Sequence, residues 1–172
     1  MEPKKPMSHF VAASVIAAVL IIYTLVLQFT GLWKNPSMAW ISYILMVAGL
    51  IFFVNQYGNA LDNQVTFGNL FSYGFKTTAL LALIMIAFTV ILFSIFPDIR
   101  EKMVEIARQR MEDRNTPEDQ IDKGIEMWQK MFWVLTIGGI ILVYAIVGAI
   151  GSLIGAAVTK KKPVNPLDQM SM

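Results

Sequence analysis

Four stretches of the chain carry no Asp, Glu, Lys or Arg: Pro6 to Trp33, Asn35 to Leu61, Thr77 to Pro97 and Met131 to Thr159. Within them lie the apolar blocks Phe10–Phe29, Met38–Val54, Thr77–Phe96 and Phe132–Val158. An α-helix rises 1.5 Å per residue, so crossing ~30 Å of hydrocarbon takes ~20 residues. Each block meets or approaches that length, the second being the shortest. At membrane depth no water can satisfy the backbone, so a span must close its own hydrogen bonds, as a helix does. Barrel strands would alternate apolar and polar positions, and these runs do not. The pattern predicts an all-α integral membrane four-helix bundle, a single membrane domain over 1–172, with spans at about 10–30, 38–57, 75–96 and 132–158.

The charges missing from these runs are gathered in one place. Asp98 to Lys130 holds 16 of the chain's 26 charged residues. Ile99, Met103 and Ile106 are spaced by four and three, one face of a helix, and Ile121, Ile125, Trp128 and Phe132 repeat the spacing. Between them "NTPED" reads as a helix start, with Thr116 as N-cap, Pro117 at the first helical position and two acids facing the positive helix end. An extramembrane helical hairpin over 97–131, turning at Asn115, would set Met103 opposite Trp128 and Ile106 opposite Ile125. Asp119–Lys123 and Glu126–Lys130 would pair at i,i+4 on its outer faces. The alternative is a solvated loop without fixed structure.

The remaining connections are short. "GLWKNPS" reads as a tight turn, "NQYGNALDNQVTFG" as a solvated loop and 160–172 as a disordered tail. Lys4 and Lys5 before the first span would suit a signal peptide. The apolar stretch is too long for one, however, and "VLQFTGLWKN" holds no A-x-A-like site, so a retained helix is expected. Lys4, Lys5 and Lys160–Lys162 flank the outer spans and favour both termini in the cytoplasm, although the 98–130 segment carries seven Lys/Arg of its own.

Composition narrows the chemistry. The chain is 56% apolar and 15% charged, with net charge +2 and no basic stripe interleaved with stacking aromatics, so nucleic acid is not an expected partner. The absence of cysteine removes disulfides, thiolate nucleophiles and most zinc sites. His9 is the single histidine and reads as an interfacial polar tip rather than a ligand. No catalytic, metal or cofactor-binding residues and no cofactor are expected. Hydroxyls scattered along the spans, such as Thr24, Ser94 and Ser152, can bond their own helix backbone and trace no pathway. Lys76 is the ionisable residue nearest membrane depth; it reads as snorkelling toward headgroups, or as binding a headgroup phosphate or a substrate anion. Phe67, Phe71 and Phe75 form one stripe, suited to the interface or to helix packing. In "GAIGSLIGAAVT", Gly151 and Gly155 form a GxxxG pair with Gly148 and Ser152 in the neighbouring row. Small residues four apart let another helix approach, whether from the same chain or a second copy.

The stretch "FGNLFSYGFK", the segment "FPDIREKMVEIARQRMED" and a glycine-rich last span, in this order, resemble a family of small bacterial four-helix membrane proteins known as domain of unknown function 4199. The resemblance covers nearly the whole chain. It implies the four-span fold with a helical insertion between spans three and four, and no catalytic residues. The expected function is that of an accessory or interaction (scaffold) protein of the bacterial inner membrane, not an enzyme. Its expected partners are the lipid bilayer and a second copy or another membrane protein; a small-solute transporter or channel subunit is the rival.

Overall fold

The computed structural model describes residues 6–162. Six α-helices follow one another: α1 His9–Thr30, α2 Pro36–Ala60, α3 Phe67–Ile95, α4 Asp98–Glu112, α5 Glu118–Lys130 and α6 Phe132–Val158, with a 3-10 turn at Leu32–Lys34. No strand occurs among the described residues. Four of the helices, α1, α2, α3 and α6, are long and apolar enough to cross a membrane.

Local chemistry sets the helix ends. Ser8 Oγ accepts from the Val11 N–H at 3.3 Å, and Asn35 Oδ1 accepts from the Ser37 N–H at 3.0 Å with Pro36 in the first turn of α2. Each fills a donor that the helix start leaves open. α1 ends at Gly31, whose φ of +73° favours a residue without Cβ. α2 ends in a Schellman closure: Asp62 and Asn63 take φ of +53° and +62°, and their N–H groups return to the Asn59 and Gly58 carbonyls.

Two helices extend beyond the expected spans. α2 continues past 57 because the polar residues of its last turns remain helical; Asn59 Nδ2 donates to Asn55 Oδ1 at 2.8 Å. α3 begins at Phe67 rather than near 75, because the Thr66 hydroxyl accepts from the Asn69 N–H at 3.2 Å and caps the earlier turns. Lys76 therefore sits nine residues inside α3, about 13.5 Å along its axis. The tail expectation is corrected at its start: the Lys161 ammonium donates to the Ala156 carbonyl at 2.7 Å, and the Lys162 N–H to the Asn63 carbonyl at 2.8 Å. The rest of that tail, 163–172, lies outside the described residues, as do Lys4 and Lys5.

The chain forms two compact units, one from the described residues up to Met85 together with those from Leu142 onward, the other from Ile86–Ile141. The first unit buries Ala12, Ala13, Ile16 and Leu20 of α1, Met46, Leu50 and Val54 of α2, and Leu70, Tyr73 and Leu81 of α3. Phe10, Val19, Ile22 and Phe29 of α1, and Ile44 and Phe52 of α2, point outward. Only 17% to 28% of each spanning window is buried inside the protein. A water-soluble domain does not leave such continuous apolar faces open. Hydrocarbon is the solvent that suits them.

Candidate functional site

In the first unit the small residues of α6 face its own neighbours. Gly148, Gly151, Ser152, Gly155, Ala156 and Thr159 are all buried. A Cβ placed on Gly151 would lie 3.0 Å from Leu50 Cδ1; one on Gly155 would lie 3.1 Å from Val54 Cβ and 3.3 Å from Ile51 Cα. α2 thus packs backbone-close along this row. α3 does the same on the other side: Gly148 abuts the Thr78 side chain, and a Cβ on Gly74 would lie 2.8 Å from Ser152 Cβ. Dispersion contact over such close approaches holds helices together where hydrophobic burial offers no difference from lipid. Thr77, Thr78 and Thr159 donate their hydroxyl protons to the carbonyls of Tyr73, Gly74 and Gly155 one turn earlier. Thr24 and Ser94 do likewise to Leu20 and Val90. Ser152 Oγ is buried without a hydrogen-bond partner.

One end of this unit carries an aromatic cluster. Tyr57 of α2 stacks on Tyr73 of α3 with centroids 4.2 Å apart, and the His9 ring lies 4.8 Å from Tyr73. The Tyr73 hydroxyl donates to the Met7 carbonyl at 3.1 Å, tying the start of α1 to α3. Lys76, one turn further along α3, is exposed. Past it the helix holds no charge up to its end at Ile95. Those 19 residues span about 28.5 Å, close to the hydrocarbon thickness, so the cluster stands at the level where amphipathic rings collect. Phe67 and Phe75 of the phenylalanine stripe are exposed, and Phe71 and Phe75 stack with centroids 5.8 Å apart. The Lys161 ammonium sits 5.6 Å from the Phe67 ring.

In the second unit the charged segment folds back on itself as α4 and α5. Asn115 takes a φ of +55°, and a second Schellman closure returns the Asn115 and Thr116 N–H groups to the Glu112 and Met111 carbonyls. Thr116 stands one residue before the N-cap position of α5, which Pro117 takes. The helix starts at Glu118, one residue later than expected, and Pro117, with an extended ψ of 142°, stands at its N-cap without a side-chain bond. Ile99, Ile121 and Ile125 are buried; Met103, Ile106 and Trp128 are half-buried. The seam also contains Met111, whose methyl lies against Gly124. Arg108 bridges the two helices to Asp122 at 2.6 Å. Lys123–Asp119 at 3.8 Å, Lys130–Glu126 at 2.6 Å and Lys102–Asp98 at 2.7 Å run along the outer faces. The Lys102 ammonium, hydrogen-bonded to Asp98, holds that carboxyl below its ordinary range.

At the base of the hairpin the rings of Phe93, Trp128, Phe132 and Trp133 meet edge to face, with centroids 4.9 to 6.2 Å apart. The Arg100 guanidinium lies 4.3 Å from the centre of Phe132 and 6.0 Å from that of Trp133. A groove of about 460 Å³ opens beside it, lined by Pro97, Arg100, Glu101, Val104, Trp128 and Gln129.

Four apolar helices with a charged helical pair inserted between the third and fourth is the order expected of the family that the sequence resembles. The model of a family described as "Protein of unknown function (DUF4199)" matches residues 10–161. The chain belongs to this family. Comparison with curated proteins and with solved structures returned no match.

The DUF4199 match runs from α1 through α6 and spans the hairpin. Within this member Gly148, Gly151, Ser152 and Gly155 are all buried, and of the hairpin residues Ile99, Ile121 and Ile125 are buried and Met103, Ile106 and Trp128 half-buried. Lys76 is exposed. The Tyr57–Tyr73–His9 cluster and the Arg100 stack were missed from the sequence. Their members lie far apart along the chain, and only Trp128 and Phe132 stood on a periodic face. Among the described residues no group of three His, Cys, Asp or Glu is arranged to hold a metal ion.

Proposed function

We propose that this DUF4199 protein acts by interaction, as a non-enzymatic accessory or scaffold protein of a bacterial inner membrane, with both termini in the cytoplasm and the hairpin in the periplasm. The observation that carries the reading is the hairpin itself. Ile99, Ile121 and Ile125 are buried, while Glu101, Glu105, Arg110, Glu112, Asp113 and Arg114 stand exposed. Met127 of α5 is 61% exposed. A rigid element with a charged face and an isolated methionine suits contact with another polar surface. The donated hydroxyls of Thr77, Thr78 and Thr159 weigh against the transporter or channel reading, since each is engaged with its own helix.

The test is site-specific photo-crosslinking in cells from Glu105, Glu112 and Met127, with Val15 and Ile22 of the outward face of α1 as controls. The reading expects a discrete protein adduct from the hairpin positions that the control positions do not give. Solute flux in proteoliposomes holding the purified protein, with no hairpin adduct in cells, would favour the transporter instead.

A further inference from the structure

The geometry points to a phospholipid headgroup site in the groove at the hairpin base, selective for a headgroup that carries both a phosphodiester and a primary ammonium. Three features converge. Arg100 makes no ion pair among the described residues, and its guanidinium carbon lies over the Phe132 ring, 4.3 Å from its centre. A guanidinium held over a ring, with no carboxylate partner, keeps N–H donors for phosphate oxygens. Glu101 lines the same groove, is exposed and likewise makes no ion pair. A site for a purely anionic headgroup would not set a carboxylate beside its arginine. A headgroup with an ammonium two carbons from its phosphate satisfies both, and the Gln129 side-chain amide adds a neutral donor.

Position along the chain supplies the third feature. α3 ends its charge-free run at Ile95, two residues before Pro97 in the groove wall, and Trp128 and Gln129 precede the start of α6 at Phe132 by three or four. Tryptophans and a basic residue at the edge of a span mark the headgroup level. Pro97 and Val104 give the wall an apolar part against which the glycerol end can lie.

Native mass spectrometry of the full chain in a non-ionic detergent tests the site, with phosphatidylethanolamine, phosphatidylcholine or phosphatidylglycerol added at matched concentration. The expected result is preferential retention of phosphatidylethanolamine. Phosphatidylcholine, whose methylated ammonium cannot donate to Glu101, should bind more weakly, and phosphatidylglycerol more weakly still. Arg100→Ala should lower the phosphatidylethanolamine adduct by about tenfold or more, the loss expected of a charge-assisted hydrogen bond. Because Arg100 also packs on Phe132, its removal can disturb the hairpin. Glu101→Gln changes an exposed side chain in no ion pair, and should reverse the order so that phosphatidylglycerol is retained at least as well. Equal retention of the three lipids by the unmodified protein, or an order left unchanged by Glu101→Gln, would overturn the proposal.

Discussion

Replacing the glycines of α6 by alanine, one at a time, separates packed positions from open ones on a single helix. At Gly155 a new methyl would meet Val54 Cβ at 3.1 Å and Ile51 Cα at 3.3 Å. Neither neighbour gives way easily. Ile51 Cα is backbone, and Val54 is fully buried with a stiff, β-branched side chain. α2 would have to move by a few tenths of an ångström, an overpacking cost of ~1–3 kcal/mol, partly offset by the ~1 kcal/mol that alanine gains over glycine in a helix. Gly155→Ala should therefore destabilise by up to about 2 kcal/mol net. Gly151→Ala meets the far end of Leu50, Cδ1 at 3.0 Å, which can rotate away, so its effect should fall within ~0.5 kcal/mol of zero. Gly138 and Gly139 have nothing within 4 Å, so Gly138→Ala and Gly139→Ala should stabilise by up to ~1 kcal/mol. The assay is unfolding in mixed micelles under increasing dodecyl sulfate, followed by circular dichroism. Equal effects at 138, 139 and 155 would refute the packing of α6 on α2.

The hairpin register is open to disulfide trapping in a chain with no native cysteine: Met103→Cys with Trp128→Cys should crosslink under mild oxidation, and Lys102→Cys with Trp128→Cys poorly. Asn115→Val should lower hairpin stability by ~1–2 kcal/mol, because a β-branched residue resists the left-handed conformation, whereas Asn115→Gly should be tolerated; hydrogen exchange of the α4 and α5 amides reads the difference. The Asp98–Lys102 bond lowers the folded pKa of Asp98, so its contribution is present above the ordinary carboxylate pKa and is lost as pH falls through the depressed folded value. α4 helicity should accordingly decline at the acid end of a circular dichroism titration, and Asp98→Asn should remove that part of the decline.

The four spans were legible because desolvating a charge is costly, so gaps in the charge pattern report membrane depth directly. The hairpin was legible for a related reason, its apolar periodicity standing out against dense charge. The start of α3 was harder: Phe67 to Lys76 mixes aromatics with Gly, Asn and Ser, and a single Thr66 bond decides that it is helical. At the hairpin turn "NTPED" carried a familiar helix-start pattern, but α5 starts at Glu118 with Pro117, not Thr116, at its N-cap position. The glycine row could be seen in sequence, while its partners could not, because Val47, Leu50, Ile51 and Val54 lie about 100 residues away on α2. The same separation hid the Tyr73–Met7 bond and the stack of Tyr57 on Tyr73. Arg100 appeared as one charge among many, since stacking on Phe132 depends on how the hairpin closes.

The central claim is that the charged segment leaves the membrane on the side opposite the termini. Single cysteines placed by Asp113→Cys and Asp168→Cys can be labelled with a membrane-impermeant maleimide in intact cells whose outer barrier is permeable to the reagent. Asp113 is exposed with right-handed backbone, so the substitution there leaves the left-handed Asn115 untouched. The expected result is labelling at 113 in intact cells, and at 168 only after the inner membrane is opened. Labelling at 168 with 113 silent would contradict the claim.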